Sequence, residues 1–257
     1  MKWTREHTLI ALNLYTKLPF GQFDAKNPVI KEVAAKMGRR PDSLSMKLCN
    51  LASLDPVQRA RGIKGLEGAS RQDREMWQEF QTKSLTLGTE AEELFHDLIT
   101  KDQAKDVVVQ NGRIQLVAPS GPTETLATVT VRRGQRFFRD AVLTAYNVRC
   151  CISGINVPDL LAASHIKSWG KFPAERLNPR NGLCLSSLHH AAFDSGLITL
   201  DDHLQVVLSK RLQKFFPQPT LERNFVPFAG KAIRLPDKLA EPDGEFLRYH
   251  RDEVFQK

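Results

Sequence analysis

The sequence predicts an α+β chain, with a helical N-terminal part and a C-terminal part that mixes strands and helices. Three observations predict it. Apolar residues recur at helical spacing through much of the first 105 residues. Asn111-Gly112 between two apolar runs marks a hairpin. Residues 161–194 then read as strand, long loop, short strand and helix, with polar side chains at both ends of the unit.

Taken in order, Thr4 is placed as the N-cap of a helix through Tyr15. The stretch "KLPFGQFDAKNP" breaks it, and Asn27-Pro28 supplies a cap and first-turn pair for the next helix. That helix carries Val29, Ile30, Val33 and Met37 on one side, and Gly38 is placed to terminate it. Another helix follows with Leu44, Leu48 and Leu51 at helical spacing. Helix, glycine-containing turn and helix form the outline of a helix-turn-helix. Arg39, Arg40 and Lys47 lie where a recognition helix would meet DNA, although a plain helical hairpin has the same outline. Thr89 and Glu92 read as a capping box before Leu94, Phe95, Leu98 and Ile99. After the hairpin, "APSGPTET" reads as a linker, and a basic helix starts near residue 132. "GLITL" and "LQVVL" read as two strands around a turn. The expected organisation is a helical domain over 1–105, hairpin and linker over 106–131, a strand-and-helix domain over 132–212, and an extension over 213–257.

The chain of 257 residues can bury a real core as one large domain or two small ones. No apolar run approaches the roughly 18 residues of a membrane span, and the N-terminus lacks the pattern of a signal peptide. Cys49, Cys150, Cys151 and Cys184 form no CxxC pair, so a zinc knuckle is not expected and a reduced, cytoplasmic protein is. The net charge of +8 is unevenly spread. Residues 132–180 hold nine Lys and Arg against three acids, and this stretch would draw a polyanion with salt-dependent affinity.

That basic stretch leads into "SHIKSWGKFPAERLNPRNGLCLSSLHHAAFD". His165 falls near a strand end, and Asn181 opens the second strand. His190 and Asp194 are four apart and share one helix face. This inventory suits phosphodiester cleavage. A histidine can act as the general base toward water. Two ligands on one helix face can hold one divalent cation that stabilises charge on the phosphorane-like transition state and the leaving oxygen. Arg176 and Arg180, beside Asn181, are candidate clamps on the phosphate backbone.

The stretch resembles the HNH endonuclease family, with its ββα-metal fold. More narrowly, "RCCISG…ASHI…NPRNGLCLSSLHHAAFD" resembles bacterial HNH proteins described as restriction endonucleases. The likeness covers residues 132–208, and residues 27–56 resemble the segment that often precedes such a nuclease. The resemblance implies His165 as general base, Asn181 as the residue that hydrogen-bonds the base and shapes the loop, and His190 as metal ligand. Asp194 stands where some members have a further metal-side histidine. His189 is a second candidate ligand, but neighbouring helical residues point about 100° apart, so one metal would not take both, and the spacing favours His190. Where many members carry a metal-binding Asp or His before the base, this chain has Ser164. The implied activity is metal-dependent hydrolysis of DNA in restriction or defence. Mg²⁺ or Mn²⁺ is the expected ion, and a site of this kind also suits Zn²⁺ or Ni²⁺. DNA is the expected partner, no membrane is, and a homodimer would give two-strand cutting by symmetry. The first alternative is a DNA-binding regulator with an HNH-like fold and little catalysis. An RNA nuclease, or a structural subunit of a larger complex, ranks lower for want of an aromatic stacking platform.

Overall fold

Capping chemistry sets the first helices. In the computed structural model, which describes residues 2–55, 68–101, 105–110, 112–118, 126–236 and 241–257, α1 spans Arg5–Lys17. The Thr4 hydroxyl accepts from the His7 N–H at 3.1 Å, as its position before the helix predicts. Helix α2 spans Pro28–Lys36, with the Asn27 side chain accepting from the Val29 N–H. Gly38 ends this turn at φ +64°, a left-handed conformation that glycine adopts without strain. Helix α3 spans Pro41–Leu54, α4 Arg71–Thr82 and α5 Ser84–Ile99. The apolar faces of α1, α2 and α3 meet through Leu9, Leu12, Val33, Leu44 and Leu48, all at 0% exposure, which is where the first core sits.

The expected capping box at Thr89 and Glu92 does not form, because α5 runs unbroken past both residues. Glu92 has a stronger use. Its carboxylate lies 2.9 Å from the buried Lys17 ammonium and accepts from the Asn13 amide. Asp140 completes the arrangement at 2.7 Å from Lys17. Burial alone would lower the Lys17 pKa, and the two carboxylates outweigh it and raise it.

Strands β1 (Asp106–Gln110) and β2 (Arg113–Val117) pair antiparallel with Gly112 at φ +69°, the predicted hairpin; Asn111 lies outside the described residues. The linker expected over 118–125 falls outside them from residue 119. Helix α6 spans Leu126–Ala145. The chain divides into two compact units, Met1–Asp140 and Ala141–Lys257. The division therefore lies inside α6, not at the 106–131 segment where composition changes. Lys17–Asp140, Arg136–Asp106 at 3.7 Å and the Phe80–Phe137 ring contact tie the start of α6 into the first unit.

In the second unit, β3 (Leu161–His165) pairs antiparallel with β4 (Gly182–Ser186), setting His165 opposite Gly182. Helix α7 (Ser187–Asp194) follows directly, capped by Ser186. Strands β5 (Ile198–Leu200) and β6 (Val206–Leu208) pair antiparallel. Short helices α8 (Lys210–Gln213) and α9 (Pro219–Phe225) precede α10 (Gly244–Glu253). The core is built from Cys150, Cys184, Leu185, Phe193 and Leu247, each at 1% exposure or less. Within the expected extension over 213–257, α10 closes this core through Leu247. His250 stacks on Phe193 with centroids 3.7 Å apart and rings 9° from parallel.

Candidate active site

Adjacent residues of a strand point to opposite faces, so β3 sends Ser164 and His165 in different directions. Ser164 points to α7 and is fully buried. His165 points to the loop between β3 and β4. There its Nε2–H donates to the Arg176 carbonyl at 2.9 Å. A carbonyl can only accept, so the neutral ring keeps its lone pair on Nδ1. Trp169 packs against the imidazole edge-on at 5.5 Å. Burial lowers the His165 pKa, more than its bond to Arg176 and the nearby Asp194 raise it. The imidazole is therefore held in the form that can accept a proton.

The loop is shaped by Asn181, at 0% exposure. Its Nδ2 donates to the carbonyls of Lys167 at 3.0 Å and Glu175 at 3.1 Å. Its Oδ1 accepts from the Lys167 N–H at 2.7 Å. Both amide protons are thus used on backbone. The expected direct bond from Asn181 to the base is replaced by an indirect one, since Glu175 precedes the Arg176 carbonyl that holds His165.

On the other side of the strand, the Ser164 hydroxyl donates to Asp194 Oδ1 at 3.0 Å. With its proton used there, Ser164 must accept from His190 Nδ1–H, also at 3.0 Å. That fixes the lone pair of the neutral His190 ring on Nε2. The histidine is 35% exposed and Asp194 50%, and both line a cleft of about 450 Å³ that His165 also lines. Imidazole nitrogen and carboxylate oxygen are the donors that first-row divalent ions and Mg²⁺ take. Among the described residues no group of three or more His, Cys, Asp or Glu side chains is arranged to hold a metal ion. The pair therefore fits an ion that leaves most of its coordination to water and phosphate, and not a closed protein cage.

Residues 150–201 match the family model described as HNH endonuclease. The chain carries an HNH endonuclease domain. No curated protein matches the chain. The matched segment contains His165, Asn181, His190 and Asp194, and α10 lies beyond it.

Within the HNH domain His189 turns away from the cleft. It is 2% exposed, donates from Nε2 to the Asn224 carbonyl at 2.8 Å, and meets the Ser186 hydroxyl and Cys150 thiol through Nδ1. Both ring nitrogens are occupied inside the fold, so a metal role does not fit. Arg176 is only half-exposed. Its Nε donates to the Trp169 carbonyl and its guanidinium packs over the Trp169 ring, so its side chain is held within the loop around His165. Arg180 is 51% exposed and pairs with Asp243 at 3.1 Å. Lys171, which composition alone did not single out, is exposed and lines the cleft. So do Tyr249 and Glu253 from α10, which stand too far along the sequence for spacing to suggest them.

The three cations expected to meet DNA in the first unit differ in fate. Lys47 is 4% exposed, ion-paired to Asp73 and 4.4 Å from the Trp3 ring, so its charge is spent within the fold. Arg39 stacks 4.0 Å over Trp3 and donates to the Lys2 carbonyl. Arg40 is 84% exposed and pairs at the surface with Asp42. No helix among the described residues is long and apolar enough to cross a membrane.

Proposed function

We propose that this protein is a metal-dependent endonuclease that hydrolyses phosphodiester bonds of DNA, in a restriction or defence role. One observation carries the reading. A histidine held with Nδ1 as its proton acceptor lines the same cleft as a histidine–serine–aspartate group whose outward donors suit a divalent ion. His165 takes the proton of the attacking water. His190 Nε2 and the Asp194 carboxylate would hold the ion, which would stabilise charge on the phosphate. Asn181 keeps the loop closed around the base, and Lys171 and Arg180 offer positive charge to the backbone. The α2–turn–α3 segment serves as a helix-turn-helix-like DNA contact, with Arg40 as the most exposed of its three candidate cations.

The test is cleavage of supercoiled plasmid with Mg²⁺, Mn²⁺ or Ni²⁺. His165→Ala is expected to lose at least about 100-fold in rate, the usual scale of general-base catalysis. Cutting at the wild-type rate would sink the assignment at its centre. A second reading, a DNA-binding regulator with little catalysis, draws on the small number of protein donors. It predicts tight DNA binding with no metal-stimulated cleavage by the wild type.

A further inference from the structure

The base and the metal-side pair come from different elements, β3 and α7, and α10 meets the loop after β3 through Lys167 and Phe172 and α7 through Phe193. On the base side, Lys167 lies two residues beyond His165, with its backbone pinned at both ends by Asn181. Its ammonium does not reach into the cleft. It sits in a box of three rings, 4.5 Å from the centroid of Phe246, 5.1 Å from Phe172 and 5.7 Å from Tyr249. Phe246 and Tyr249 belong to α10, and Phe172 meets Tyr249 edge-on at 4.9 Å. A half-buried cation over several rings is held more firmly than one that extends into solvent.

On the metal side, His250 of α10 stacks on Phe193, the residue before Asp194. Its Nε2–H donates to the Phe193 carbonyl at 3.0 Å, and its Nδ1 accepts from the Thr199 hydroxyl at 2.9 Å. Six residues further on, past the end of α10, the Gln256 N–H donates to the Gly196 carbonyl at 2.9 Å. One helix face thus grips the loop behind the base and the end of the helix that carries Asp194.

We propose that α10 is a brace that sets His165 relative to His190 and Asp194, and that caged Lys167 is a positioning residue for the base and not a phosphate contact. The proposal rests on the nuclease reading above. Two charge-bearing lysines then separate by role: Lys171 meets phosphate, and the Lys167 ammonium faces the three rings.

The experiment compares Lys167→Met, Lys167→Arg, Phe246→Leu and Lys171→Ala in the full chain. It measures single-turnover cleavage at saturating DNA, DNA affinity and its salt slope without metal, and hydrogen exchange at the Ile166 and Lys167 amides. Lys167→Met and Phe246→Leu are expected to cut at least about tenfold more slowly, since a misplaced catalytic group costs up to about 100-fold. Both should keep wild-type affinity and salt slope and lose amide protection. Lys167→Arg, which keeps a cation in the box, should restore the rate. Lys171→Ala should weaken binding and flatten the salt slope. The proposal falls if Phe246→Leu cuts and exchanges like wild type, or if Lys167→Met changes the salt slope as Lys171→Ala does. If Phe246→Leu unfolds the domain, Lys167→Met decides. If wild-type protein cuts no DNA, the nuclease reading fails, and the brace stands or falls on amide protection alone.

Discussion

Ser164 shows how a residue changes meaning between sequence and fold. Read along the chain, it is a weak ligand where a stronger one is expected. Inside the fold it is a buried hydroxyl that accepts from His190 and donates to Asp194, so it orients both donors. Groups that orient metal ligands typically carry 10–100-fold in metal affinity. Ser164→Ala is therefore expected to weaken Mn²⁺ binding by roughly tenfold with little change in fold. Titration calorimetry would check this, and wild-type affinity in the variant would refute it. His165 and His190 were singled out from type and spacing, and both line the cleft. The inward turn of His189 was not, because spacing leaves both members of a doublet on offer and only the Asn224 carbonyl and Cys150 decide between them. Lys47 failed for the same reason: charge is visible in a sequence, and the Asp73 that neutralises it is 26 residues away.

Among the elements, those with local causes were readable. Thr4 and Asn27 cap their helices, and β3, loop, β4 and α7 follow in the expected order. The supposed cap at Thr89 failed because a capping box and a helix interior can share the same letters. The placement of α10 was not readable, because Phe193 and Lys167, which it meets, are far along the chain. Gly196 makes the dependence testable. It sits at φ +66°, and a methyl group there would overlap the Val254 carbonyl as well as strain the backbone. Gly196→Ala is expected to destabilise the second unit by about 3 kcal/mol, at the upper end for single substitutions. Urea unfolding followed by Trp169 fluorescence would measure it, and a loss below about 0.5 kcal/mol would contradict the docking of the C-terminus here.

At the scale of the whole molecule, the two units have different electrostatic cores. The first buries an ion triad at Lys17, and the second buries neutral His250. Burial, assisted by the Arg251 charge and only partly opposed by the bond to Phe193, lowers the His250 pKa to about 4. The unfolded chain binds this proton near its ordinary value, about 6.5. Between these values the unfolded state holds more protons, so stability rises with pH there. The contribution is complete above about pH 6.5, falls as pH drops toward 4, and amounts to roughly 3 kcal/mol at most. His250→Phe, which keeps a ring on Phe193, should flatten that part of the stability curve. Denaturant midpoints at pH 4.5, 5.5 and 7 would reveal it, and parallel curves for both proteins would rule it out.

The sequence by itself determined what depends on neighbours a few residues apart. That covers the helix caps, the hairpin, the strand–loop–strand–helix order, and the histidines whose spacing resembles a known nuclease. The tertiary structure decided what depends on burial and on partners far along the chain. It placed the unit division within α6, spent Lys47 and His189 in the interior, gave Asn181 the backbone and not the base as its partner, and brought α10 to the cleft. The physical reason is direction. Spacing tells which residues share a face, but which face is buried, and against what, is fixed only when distant segments pack.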